Sequence, residues 1–136
     1  MIFVDTGAWI ALTDSHDHYH KEVNRLYNRL KQQRAHLLTT DYVLNETVTR
    51  LRYDSSHHIA IRFLDIIILT SKTGILRVGY IDHDLFQESI AVFRQYERTL
   101  LSLTDCASFV VCQRYNIHDA FGFDRHFPMM GMSLIS

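Results

Sequence analysis

The sequence predicts an α/β domain with a central parallel sheet of four to five strands, covered by helices on both faces. Short apolar runs alternate with longer segments whose apolar residues recur at helical spacing, the pattern of a parallel sheet. The chain has 136 residues, which suits a single domain spanning 1–136. At 47% hydrophobic it can bury a core, and no Pro-rich or Gly/Ser-rich stretch marks a linker.

Ile2-Phe3-Val4 reads as a buried strand ended by Asp5-Thr6-Gly7, followed by a short helix from Ala8 to Thr13. His18 to Arg34 carries a helical stripe of Tyr19, Val23, Leu26, Tyr27 and Leu30, with Lys21, Arg25 and Arg29 opposite. His36 to Thr39 is the second strand. A helix from Asp41 to about Tyr53 follows, with Leu44, Val48 and Leu51 on one face. Ser55 is placed to cap a further helix through Thr70, striped by Ile59, Ala60, Phe63, Leu64 and Ile67. Lys72-Thr73-Gly74 is a turn, and Ile75 to Ile81 is β-branched enough for a third strand. Asp82 to Glu97 is helical through Phe86, Ile90, Phe93 and Tyr96, and Ser102 to Tyr115 is another helix. Ala120 to Phe123 and Met132 to Ile135 complete the strands.

The formal charge is −1, which argues against a generic basic nucleic-acid binder. Any nucleic acid must meet locally arranged charge or bound cations. Cys106 and Cys112 lie on one helix. Six residues of helix rise about 9 Å, beyond the roughly 7 Å Cα limit for a disulfide, so both read as reduced core residues. No signal-peptide pattern opens the chain. The most apolar segment, Ile59 to Leu69, is too short and too charged to span a bilayer. A cytoplasmic protein that does not engage membranes is expected.

Open α/β sheets bind ligands beyond the carboxyl ends of their strands, near a reversal of strand order. Asp5 directly follows the first strand and Asp124 a later one, while Glu46 and Asp105 lie near helix starts that open onto the same edge. Each acid alone has an ordinary explanation. Asp5 suits a turn, Glu46 a solvated pair with Arg50, Asp105 a capping box with Ser102, and Asp124 a pair with Arg125 or Arg98. Gathered together, the carboxylates repel one another and need a cation to stay ionised. Oxygen donors suit Mg²⁺ or Mn²⁺, and one or two such ions could drive phosphodiester hydrolysis.

Four segments in order resemble the PIN-domain nucleases. They are Ile2-Phe3-Val4-Asp5-Thr6-Gly7-Ala8-Trp9, Thr40-Asp41-Tyr42-Val43-Leu44-Asn45-Glu46-Thr47, Ser102-Leu103-Thr104-Asp105-Cys106-Ala107, and Phe123-Asp124-Arg125-His126-Phe127 with Gly131 beyond. The resemblance covers nearly the whole chain and is nearest to VapC-type toxins. It implies a three-layer α/β/α fold and an Mg²⁺- or Mn²⁺-dependent endoribonuclease. It also implies metal ligation by Asp5, Glu46, Asp105 and Asp124, with Thr104 holding the site through its hydroxyl. A homodimer and a small cognate antitoxin are implied as partners, with RNA as substrate. Gly122 stands where the family often carries Thr, which is expected to loosen that segment. Asp119, near the same edge, is an alternative to Asp124.

Arg50 and Arg52, close after Glu46, are the candidate phosphate contacts. Trp9 and Tyr42 are candidates for base stacking, although Trp9 sits in an apolar run that favours the core. Phe86, Phe93 and Tyr96 are expected in the core or a dimer interface. His16-x-His18-x-His20 lacks the soft ligands of a zinc site and reads as a polar helix start. A haloacid-dehalogenase phosphatase would need an acid where Gly7 stands, and a phospho-receiver would need a late Lys, yet none follows Lys72. The remaining rivals are a non-catalytic RNA- or protein-binding module on the same fold and a DNA nuclease with the same site.

Overall fold

The computed structural model describes residues 1–135. Its five strands are all parallel, in the order β3-β2-β1-β4-β5. β1 (Ile2–Val4) is central, flanked by β2 (Leu37–Thr40) and β4 (Asp119–Phe121), with β3 (Leu76–Gly79) and β5 (Ser133–Leu134) at the edges. Helices α1 (Thr6–Thr13), α2 (His20–Gln32), α3 (Asp41–Asp54), α4 (His57–Lys72), α5 (His83–Gln95), α6 (Leu103–Arg114) and α7 (His126–Met129) flank it. This is the expected α/β/α architecture. The chain builds outward from β1 through β2 to β3, then returns to the other side for β4 and β5. Strand order therefore reverses at β1, the position at which such sheets open a ligand crevice.

Phe3, Val4, Leu37, Leu38, Ala120 and Phe121 are all buried, as strands covered on both faces require. α6 is buried along Cys106 to Cys112. Burial pushes the Cys112 thiol up to about 12 and raises that of Cys106, so both are free, protonated core groups. One polar link ties the centre together. The Thr39 hydroxyl donates to the Val4 carbonyl at 3.0 Å and accepts from Trp9 Nε1 at 3.3 Å. It joins β2, β1 and α1 just beneath Asp5. Trp9 is fully buried, edge-on to Phe63, and is a core residue rather than a base-stacking one.

Several expectations need correction. Ser56, not Ser55, caps α4, its hydroxyl accepting the Ile59 N–H. In α3 Leu51 is buried as expected, but the other fully buried positions are Val43 and Thr47, with Leu44 and Val48 partly buried beside them. α5 is rotated from its expected stripe. Leu85 and Ser89 face inward, Phe86 and Tyr96 are half-buried, and Phe93 is exposed. α7 has no counterpart in the sequence reading, and its Pro128 sits in the first turn, where a missing N–H costs nothing. No described helix is long and apolar enough to cross a membrane.

Candidate active site

Asp5 directly follows β1 and serves as N-cap residue of α1, its N–H donating to the Phe121 carbonyl at the end of β4. Asp124 lies three residues beyond β4, on the same sheet edge. Glu46 projects from the second turn of α3 and Asp105 from the first turn of α6. All four line one open cleft of roughly 490 Å³, together with Thr6, Asp17, Tyr19, Arg50, Ser102 and Phe123. The acids thus converge at the carboxyl edge of the central strands.

Asp5 is only 7% exposed, and its pKa is raised to about 7. Burial is the main cause, with Asp105, Asp124 and Glu46 adding repulsion against a lowering hydrogen bond from the Thr6 N–H. Asp105 is also raised, first by burial and then by Asp124, while hydrogen bonds from Ser102 and the proximity of His126 pull it down.

Each of two acids has one oxygen held by its own turn. Asp105 and Ser102 form a reciprocal capping box: Asp105 Oδ2 accepts the Ser102 N–H and Ser102 Oγ accepts the Asp105 N–H, both at 3.0 Å. The ordinary role and the site role coexist, because the second carboxylate oxygen takes no part in the cap. Asp124 Oδ1 accepts the His126 N–H at 2.9 Å and lies 2.7 Å from His126 Nδ1. One ligand atom each from Asp105, Asp124 and His126 falls within 4.8 Å of the others, a spacing that suits one cation.

Not every candidate converges. Thr104 opens with Tyr42 and Asn45 into a shallow neighbouring depression that shares only Glu46 with the cleft, and Ser102 does the holding of Asp105. Arg50 reaches the cleft and lies 4.0 Å from Glu46, one turn back on α3. Arg52 is exposed and, two residues on, lies away from the Glu46–Arg50 face. Asp119 pairs with Ile2 at the start of β4, so it sits at the opposite end of the strand from Asp124 and cannot replace it. Gly122 lies against Asp5. A Cβ there would stand 3.0 Å from Asp5 Cβ, so the glycine admits the close approach of the β4 end to Asp5.

The histidines at 16, 18 and 20 serve separate purposes: His16 sits beside Asp14, His18 lies edge-on to Tyr19, and His20 Nδ1 contacts the Ala11 carbonyl. The sequence reading missed Ser102, His126, Tyr19 and Phe123 as site residues. For Ser102 and His126 the available signal was proximity to Asp105 and Asp124. For Tyr19 there was none, because it continued the apolar stripe of α2.

Four carboxylates thus meet at the strand-order reversal of an all-parallel α/β/α sheet, a set of oxygen donors suited to a divalent cation. The PIN-domain model matches residues 2–131, and the chain belongs to the PIN-domain family. It is 30% identical over 131 residues to the 23S rRNA-specific endonuclease VapC20 of Mycobacterium tuberculosis (strain ATCC 25618 / H37Rv), covering 96% of this chain and 95% of the relative. It is 26% identical over 129 residues to the VapC ribonuclease of Archaeoglobus fulgidus, covering 93% and 78%. The crystal structure of Mycobacterium tuberculosis VapC20, described as a sarcin–ricin loop cleaving toxin, superposes with a TM-score of 0.86 at 28% identity, covering 98% of this chain and 97% of that one.

Proposed function

We propose that the chain is a divalent-metal-dependent endoribonuclease, with Mg²⁺ or Mn²⁺ held by Asp5, Glu46, Asp105 and Asp124, and the toxin of a toxin–antitoxin pair. The observation that carries this is the convergence of four carboxylates on one cleft around a buried, repelled Asp5. The residues fit such an ion. The donors are hard oxygens, joined by one imidazole. Thr6 Oγ1, beside Asp5, is buried and has no hydrogen-bond partner among the described residues, as expected of an atom that serves a ligand shell.

A bound divalent ion supplies the positive charge that acidifies an attacking water and stabilises the leaving oxygen. The protein's share is positioning. Asp5 is fixed by β1 and by its N–H bond to Phe121, Ser102 orients Asp105, and the α7 turn orients Asp124. Glu46 stands at the cleft rim with Arg50, whose charge suits a neighbouring phosphate. The family's partners, a cognate antitoxin and a second copy of the chain, belong to the same reading.

RNA is favoured over DNA because both relatives are named for cutting RNA. The test is an RNA hairpin of the sarcin–ricin type and its all-deoxy copy, each incubated with the purified protein and Mg²⁺. Cleavage of the RNA alone is expected. Cleavage of DNA would make the protein a DNA nuclease, and binding of either without cleavage would make it a binding module. Arg50→Glu is expected to weaken hairpin binding about tenfold and to reduce its salt dependence by roughly one charge. Circular dichroism should not change. Equal affinity would confine Arg50 to its ion pair with Glu46.

A further inference from the structure

Tyr19 and Phe123 stack on each other at the mouth of the acidic cleft, with ring centroids 4.3 Å apart and planes 24° from parallel. They come from distant parts of the chain: Tyr19 is the N-cap residue of α2 and Phe123 immediately precedes Asp124. Both residues remain substantially exposed, at 43% and 38%. Neither is needed to close the core.

The pair is held in place. Asp17 Oδ1 accepts the Tyr19 N–H at 2.9 Å, and His18 packs edge-on to the Tyr19 ring. The Cδ2 edge of Phe123 lies beside Gly7, where a Cβ would come 3.3 Å from it. A rigid, exposed aromatic surface loses little entropy when a flat ligand joins it.

We infer that the Tyr19–Phe123 pair is the stacking platform for an unpaired nucleobase next to the scissile phosphate. This rests on the ribonuclease reading of the same cleft. A phosphate at the carboxylates places the base of the adjoining nucleotide beside Phe123, one residue from Asp124. Aromatic rings beside a phosphate site are what single-strand recognition uses, because every base presents a π-face. A base inside a duplex is already stacked and cannot reach the platform.

The test uses an RNA hairpin and a set of copies, each with one abasic loop position, cut by wild type, Tyr19→Leu, Phe123→Leu and Tyr19→Phe with Mg²⁺. For wild type, one abasic position flanking the cut should lower kcat/KM about tenfold, the equivalent of one lost stack. Each Leu variant should lose about tenfold on the intact hairpin and then become indifferent to that abasic position. Tyr19→Phe, which keeps the ring face, should stay within about twofold of wild type. A Leu variant that is merely misfolded loses equally on every hairpin, and such additive losses overturn the platform. So do Leu variants that cut like wild type, including the case in which they lose only affinity for a protein partner. If wild type cuts no RNA, the ribonuclease reading falls with it. If wild type cuts and the abasic pattern is flat, only the platform falls.

Discussion

Replacing Asp5 by Asn is expected to lower RNA cleavage on the order of a thousandfold while making the metal-free protein more stable. The two effects have one cause. Asp5 is buried, faces three other carboxylates, and is ionised at neutral pH only against a pKa raised to about 7. An amide of the same shape removes the repelled charge and, with it, the donor that a divalent ion needs. A shift of about three units corresponds to roughly 4 kcal/mol at most between the two protonation states. The gain in melting temperature should therefore be several degrees at pH 8 in EDTA. Saturating Mg²⁺ should narrow the gap by stabilising wild type alone. Thermal melts of both proteins with and without the ion check this. An Asp5→Asn protein that is less stable in EDTA, or that still cuts, would contradict the account.

The second large effect is a pH dependence whose sign is opposite to that of most carboxylates. Asp5 titrates near 3.8 when unfolded and near 7 when folded, so between those values the folded state holds the extra proton. Stability of the metal-free protein should then fall as pH rises from about 4 to about 7 and level off above. The raised pKa of Asp105 acts in the same direction. Metal binding must displace these protons, so affinity for Mn²⁺ should rise roughly tenfold between pH 6 and pH 8. Calorimetric titrations at the two pH values, with melts in EDTA across the window, measure both. Metal-free stability that climbs between pH 4 and pH 7 would contradict the raised pKa of Asp5, and a metal affinity that ignores pH would remove Asp5 from the ligand set.

The parts of the molecule legible in the sequence are those set by pattern and order. Ile2-Phe3-Val4 is a strand because it is short, apolar and followed by a turn. The alternation that comes after it leads to a parallel sheet, and such a sheet has a ligand edge at which Asp5 and Asp124 must emerge. What pattern does not resolve is phase and register. Leu44 and Val48 suggest one face of α3, but Val43 and Thr47 are the buried pair. In α5 the serine at 89 is buried and Phe93 is not, because a hydroxyl bonded to the Leu85 carbonyl packs in the interior at little cost. Asp119 looked adjacent to Asp124 along the chain, yet the β1–β4 register puts it at the far end of the strand. Thr104 and Ser102 are two residues apart on a helix start, and only the capping geometry assigns Asp105 to Ser102. Tyr19 and Phe123 meet across more than a hundred residues of chain, which no local pattern encodes.

The most direct test of the acidic site is cleavage of the RNA hairpin by purified, partner-free protein in Mg²⁺, in Mn²⁺ and in EDTA, beside Asp105→Asn. Cleavage that requires either ion, stops in EDTA and is absent from a folded Asp105→Asn is the result expected. Cleavage that persists in EDTA, or in the Asp105→Asn protein with its fold and metal affinity intact, would contradict the assignment of the carboxylates as the metal site.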